Sequence, residues 1–172
     1  MARMVVVGMN HLERYSKRIS NLFTYLEKRE VAARAAYAGA GVAADALRGA
    51  VEGLSRISDY AAINAHRRGE ACLISVSQKN GLREGLGITP MRIKPLRVNV
   101  KVGFDGYNDV VSEKWPNGQP NRMIAASCEH GASYMIPQPF IGLTREAYGW
   151  AIVLAMKEEA TETINRILSE SY

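Results

Sequence analysis

No other stretch of the chain restricts its own backbone as tightly as Asn121 to Ala147, NRMIAASCEHGASYMIPQPFIGLTREA. Met123, Ile124, Ala126 and Ser127 begin it as a short apolar helix pattern that leads to Glu129. Gly131 then supplies the residue type that tolerates the positive φ ending a helix turn. Pro137 and Pro139 remove two backbone donors and push Ile136 and Gln138 towards extended conformations. Tyr134-Met135-Ile136 therefore reads as a short strand. Pro139 also suits the first turn of a helix, where its missing N–H is no loss, so Phe140 onwards is expected to be helical. The block predicts helix, tight turn, short strand and long C-terminal helix, with Gly131, Pro137 and Pro139 as fold-defining turn residues.

Upstream, Met4-Val5-Val6-Val7 is a β-branched run closed by Gly8, a predicted first strand. Asn10 with Glu13 has capping-box spacing. Apolar residues then recur at Leu12, Tyr15, Ile19, Leu22 and Leu26, and again from Ala33 through Tyr37, Ala40, Ala44, Leu47 and Val51 to Leu54, the spacing of an amphipathic helix. One helix over Leu12–Leu54 would be ~65 Å long at 1.5 Å per residue. That exceeds a compact domain, so it either breaks near Gly39-Ala40-Gly41 or packs on a neighbouring copy. The alanine-rich middle, Ala32 to Ala46, lets backbones approach closely but buries little per residue. It favours a helix laid on a sheet or on another subunit over an isolated coiled coil.

Ser58 or Asp59 can cap a further helix through His66, with Gly69 ending it, and Ala71 to Val76 fits helix or strand. Asn80-Gly81 is a turn signal, which adds Gly81 to the turn set and predicts strands over Leu82–Ile88 and Val98–Phe104 around Pro90 and Pro95. Leu96, Val98, Val100 and Val102 alternate with Arg97, Asn99 and Lys101, as in a sheet with one wet face. Residues 105–120 form a polar loop whose length is usually functional or mobile. It carries Tyr107 and Trp115, and Trp115 is either a contact anchor or folded onto the core. The last helix groups Ala147, Ala151, Leu154, Ile164 and Leu168 on one face, widened by Trp150, with Glu158, Glu159 and Glu162 towards the other. That stripe is predicted to pack on the sheet. The whole is an α+β fold: a long N-terminal helix and a C-terminal helix packed on a small, mostly antiparallel sheet. It is expected to be a single domain over 1–172, with a helical region at 10–79, sheet at 82–104, loop at 105–120 and C-terminal helix at 140–169.

Composition sets the outer limits. With 172 residues, 47% hydrophobic and 23% charged, the chain can bury one sizeable core and is not of a disordered class. Ala147 to Met156, its longest nearly apolar run, falls far short of the ~20 residues that span a bilayer. The apolar part of MARMVVVGMN is too short for a secretory signal, so a cytosolic protein without membrane partners is expected. Cys72 and Cys128 lack paired spacing and read as small buried hydrophobes. The net charge is +5, unevenly placed. Residues 1–34 hold seven Lys/Arg against three Glu, whereas 145–172 hold three Lys/Arg against five Glu. Such asymmetry can bring like subunits together head to tail, present a basic face to DNA or an acidic partner, or mark two solvated helix faces.

The residues offer little chemistry. Gly39-x-Gly41-x-x-Ala44 mimics a dinucleotide fingerprint but lies inside a helix pattern with no strand before it. Cys128-Glu129-His130 gathers a thiol, a carboxylate and an imidazole, yet adjacent residues cannot readily all face one tetrahedral metal. Glu129 reads instead as a charged partner in a subunit contact or a cap for neighbouring N–H groups. No catalytic, cofactor or metal site is expected, and no enzyme.

The order of these pieces resembles the neck or tail-completion family of long-tailed, lambda-like bacteriophages, also described as minor tail components. The resemblance lies in Glu129-His130-Gly131 with Ser133, then Pro137-Gln138-Pro139-Phe140. It extends to Asn80-Gly81-Leu82-Arg83, similar to the family's Thr-Gly-x-Leu-Arg stretch, and to Val100-Lys101-Val102-Gly103. The chain departs from the pattern at His130, where an aromatic is commoner, and at Leu143, where a second proline often follows. The resemblance implies a virion structural protein of the head–tail junction, made in the host cytoplasm. It implies a homo-oligomeric ring, a hexamer or dodecamer, that contacts other neck and tail proteins and lies close to DNA without reading it. Tyr107, Trp115, Glu129, His130 and Phe140 are the candidate contacts. The competing reading is a small basic DNA-binding or DNA-processing protein, with a hydrolase using Cys128 and His130 a distant third.

Overall fold

The computed structural model describes residues 25–94 and 97–170. The predicted strand at Met4–Val7, the Asn10 cap, the helical pattern from Leu12 to Thr24, and Pro95 and Leu96 lie outside the described residues. In chain order the described elements are α1 (Tyr25–Gly53), β1 (Arg56–Ile57), α2 (Asp59–Arg67), β2 (Ile74–Ser75), α3 (Val76–Gly85), β3 (Leu86–Ile88), β4 (Arg92–Lys94), β5 (Arg97–Asn99), β6 (Val102–Phe104), α4 (Asn121–His130) and α5 (Ile141–Glu170). The fold is α+β.

α1 does not break at Gly39-Ala40-Gly41. Its 29 residues run on as one rod of about 44 Å. Nor does it need a neighbouring copy to cover it, because α5 of the same chain lies antiparallel along it. Glu30 pairs with Arg166, Arg34 approaches Glu159 at 3.9 Å, and Gly39 sits under Met156 and Ile152. A Cβ built on Gly39 would stand 2.5 Å from Met156 Cγ, so the glycine is what lets the two helices approach. These two pairs draw one cation and one anion from each end of the chain, so they leave the charge asymmetry between the ends as it was.

That close approach decides which face of α5 turns inward. Ala35, Ala40 and Ala44 of α1 are buried, and on α5 Ile152 and Met156 lie against Gly39 while Thr163 and Ile167 are buried. The apolar stripe predicted to be buried faces the other way: Ala147 is exposed, Leu154 is 40% exposed, and Trp150 beside it is 77% exposed. Ile152 and Met156 fill the close contact at Gly39, which leaves Trp150 and Leu154 on the outward side of α5.

The main core lies where the hairpin meets the rest of the chain. Leu47, Val51 and Leu54 pack with Ile74, Leu82, Leu86, Ile124, Cys128, Met135 and Phe140. β1 and β2 pair in parallel, β3 and β6 antiparallel with Leu86 opposite Phe104, and β4 and β5 antiparallel with Ile93 opposite Val98. Val98, Val100 and Val102 are half-buried while Asn99 and Lys101 are exposed, as the alternation predicts.

Gly81 is not a turn residue. Asn80-Gly81 lies inside α3, because Ser75 caps that helix and Gln78 completes a capping box. A Cβ on Gly81 would come within 2.4 Å of Asn108 Cβ and 2.6 Å of Asn121 Oδ1, so the glycine serves a packing contact. α3 thereby takes Leu82 to Gly85 out of the predicted sheet.

The block from Asn121 follows its predicted order with two changes. Gly131 does hold φ +77° at the end of α4, and its N–H donates to Ser127 O at 2.8 Å. Tyr134–Ile136, however, forms no strand: Met135 makes isolated bridges to Cys72, parallel, and to Ala132, antiparallel. α5 begins at Ile141, two residues past Pro139, which therefore precedes the helix instead of filling its first turn.

Candidate functional site

Three side chains fasten the two hairpin helices where they enter the core. The backbone N–H groups of Phe140 and Ile141 donate to Glu129 Oε2 at 2.8 and 2.7 Å, and Gly142 N–H donates to Oε1 at 2.8 Å. One carboxylate thus satisfies three of the four orphan donors at the start of α5 and lies at the positive end of its dipole. Burial pushes this carboxyl up, but those three hydrogen bonds, helped by nearby His130, hold it below the ordinary value. At the end of α1, the buried Lys79 ammonium donates to Glu52 O at 2.7 Å and Leu54 O at 2.9 Å, a cation at the negative end of a helix. Between them, Gln138 Oε1 accepts from Ser55 N–H and its Nε2 donates to Ser55 O, each at 2.9 Å.

Of the two roles read for Glu129, the structure realises the cap. Lys79 and Gln138 carried no sequence signal, since their partners are backbone groups 25 to 83 residues away. Phe140, a predicted contact residue, is 4% exposed and meets Phe104 edge to face at 5.8 Å between ring centroids. It belongs to the main core instead of an outer surface.

Hydrogen bonds of its own brace the 105–120 loop. Asn108 N–H donates to Gln119 O, Asn121 Nδ2 donates to Asp105 O at 2.9 Å, and Ser112 and Trp115 exchange backbone hydrogen bonds. Tyr107 is 63% exposed. Trp115 is half-buried, with the Lys114 ammonium 5.6 Å from its ring. Trp115 and Tyr134 help to wall a cleft of about 480 Å³ with His66 and Glu70 at its rim. His130 is exposed and lies on a separate groove of about 920 Å³ edged by Lys101, Arg122 and Arg145. Trp115 and His130 therefore line two separate clefts.

The thiols match their reading as small buried hydrophobes: both are free and buried. Burial, then the neighbouring Glu129 carboxylate, pushes the Cys128 thiol up to about 11. Cys72 Sγ lies 4.0 Å from His66 Nε2, and burial raises this thiol too. Neither has the lowered pKa of an activated nucleophile. Among the described residues, no group of three or more His, Cys, Asp or Glu side chains is placed to hold a metal. No described helix is long and apolar enough to cross a membrane.

The remaining candidate is the outward face of α5. Leu143 is 60% exposed, Trp150 77% and Val153 56%, on a helix anchored at its start by Glu129. An exposed Trp among aliphatic side chains on a rigid element can anchor a protein contact. No family model matches the chain, and no curated protein or solved structure matches it significantly.

Proposed function

We propose that the protein is a structural subunit of a tailed phage or prophage virion, part of the ring at the head–tail junction as a neck or tail-completion protein. The sequence resemblance supplies the class. The observation that carries the reading is the outward apolar face of α5, held on a helix pair whose entry to the core is fastened by Glu129, Gln138 and Lys79. A subunit that acts by assembly needs such a face more than a reactive cleft. It would be made in the host cytoplasm and end in the virion.

The test is electron microscopy of lysates from the source phage or prophage, with and without an early stop codon in the gene. Filled heads and finished tails lying unjoined, or tails of abnormal length, are expected. Normal particles from the mutant would remove the reading. A second reading, a small basic DNA-binding or DNA-processing protein, draws on the groove edged by Lys101, Arg122 and Arg145. It requires duplex binding by the free subunit that weakens steeply as salt rises.

A further inference from the structure

We infer that α5 pairs antiparallel with α5 of a second copy of this chain through its outward face. The inference rests on reading that face as an assembly surface. Leu143, Ala147, Trp150 and Leu154, continuing as Lys157 and Thr161, follow one another at alternating steps of four and three residues. That is the a/d spacing of a coiled-coil seam. The seam lies opposite the side of α5 that meets α1, so a second helix can dock without moving the first. Leu143, Trp150, Val153 and Leu154 are all at least 40% exposed.

Charge favours a second copy, and area limits how tightly it is held. Even complete covering of the exposed parts of Leu143, Trp150, Val153 and Leu154 would remove no more than ~1,000 Å² from two copies, the lower limit for a specific interface, so the pairing expected is a weak one. Pairing in parallel would set Lys157 against Lys157 on the seam and leave Glu146, on the flank, facing Ala151 of the other copy instead of a cation. Pairing antiparallel instead sets Trp150 opposite Leu154 of the other copy and Ala147 opposite the aliphatic stem of Lys157. It also brings Glu146, on the flank of the seam, beside that lysine's ammonium. Among the described residues neither Glu146 nor Lys157 has an ion-pair partner within the chain. The contact is isologous and joins copies two by two, whereas a ring closes through heterologous contacts on other faces.

The experiment is sedimentation equilibrium on the full chain at concentrations to ~100 μM, where a micromolar interface is well populated. The wild type is expected to be dimeric. Trp150→Glu is expected to be monomeric with unchanged helix content, and to melt where the wild type melts at concentrations too low for pairing, since the side chain is exposed. Glu146→Lys or Lys157→Glu alone should weaken pairing ~10-fold, and the two together should restore it to within ~3-fold, the signature of a directly coupled pair. A monomeric wild type, an oligomer that survives Trp150→Glu, or a double reversal no better than its worse single would each overturn the inference. None of these results touches the virion reading, which the stop-codon lysates decide separately.

Discussion

Replacing Glu129 with Gln removes a charge while keeping the side chain's shape, and so isolates the electrostatic part of the α5 cap. The wild-type carboxylate accepts from Phe140, Ile141 and Gly142 through both oxygens. The Gln variant keeps one accepting oxygen and turns an NH₂ group towards an N–H. Losing a helix N-cap costs ~0.5–2 kcal/mol, and a charge at the helix N-terminus adds ~0.3–1 kcal/mol. Glu129→Gln is therefore expected to lose about 2 kcal/mol at pH 7, or ~4–8 °C in melting temperature for a chain of this size.

The pH dependence separates this cause from simple loss of packing. The folded carboxyl lies below its ordinary value, so its contribution is complete above the unfolded pKa, about 4.3, and is lost as pH falls through the folded value. The Gln variant does not titrate at this position. Urea unfolding of both proteins from pH 7 to pH 3 should show the gap between them narrowing below about pH 4. A gap that is absent at pH 7, or constant across the range, would refute the cap as the source of stability.

Two mid-helix glycines should respond with opposite signs. Gly41 has nothing within 4 Å of a built Cβ, so Gly41→Ala should stabilise by ~0.5–1 kcal/mol through helix propensity. Gly81→Ala meets Asn108 and Asn121 and should destabilise by ~2 kcal/mol despite the same propensity gain; thermal melts of both variants give the comparison. Lys79→Met keeps the stem but leaves Glu52 O and Leu54 O without their donor, and should cost ~1–3 kcal/mol by urea unfolding, with no change in helix content at pH 7. Cys128, fully buried with its thiol at about 11, should resist iodoacetamide in the native protein at pH 8 and label only after unfolding, as mass spectrometry of the tryptic digest would read.

Local rules carried the sequence reading where the determining partners are near in the chain. Ser58 caps α2, Gly131 takes its positive φ, and the Val98–Val102 alternation survives, because each depends on neighbours a few residues away. Asn80-Gly81 misled because two local signals competed. Ser75 and Gln78 already formed a capping box, and the turn dipeptide was absorbed into the helix they start. The α5 stripe was recognised but turned the wrong way, since which face is buried depends on the small residues of α1 more than 100 positions earlier. Among the contact candidates, Tyr107 and His130 are exposed and Phe140 is not. Sequence pattern marks an aromatic beside a helix start without saying whether its ring turns into the core.

The pairing of α1 with α5 also sets an order of events during synthesis. The alanine face of α1 leaves the ribosome before residues 54–140 and waits for α5, the last described element, to cover it. An Ala/Gly surface exposes little apolar area in that interval and offers few anchors for premature contacts. Paired hydrogen bonds between Ser55 and Gln138 tie the near ends of the two helices across the intervening core. With Ser55 held beside Gln138, the near ends of α1 and α5 are already together, which lowers the entropic cost of pairing helices separated by so long a segment.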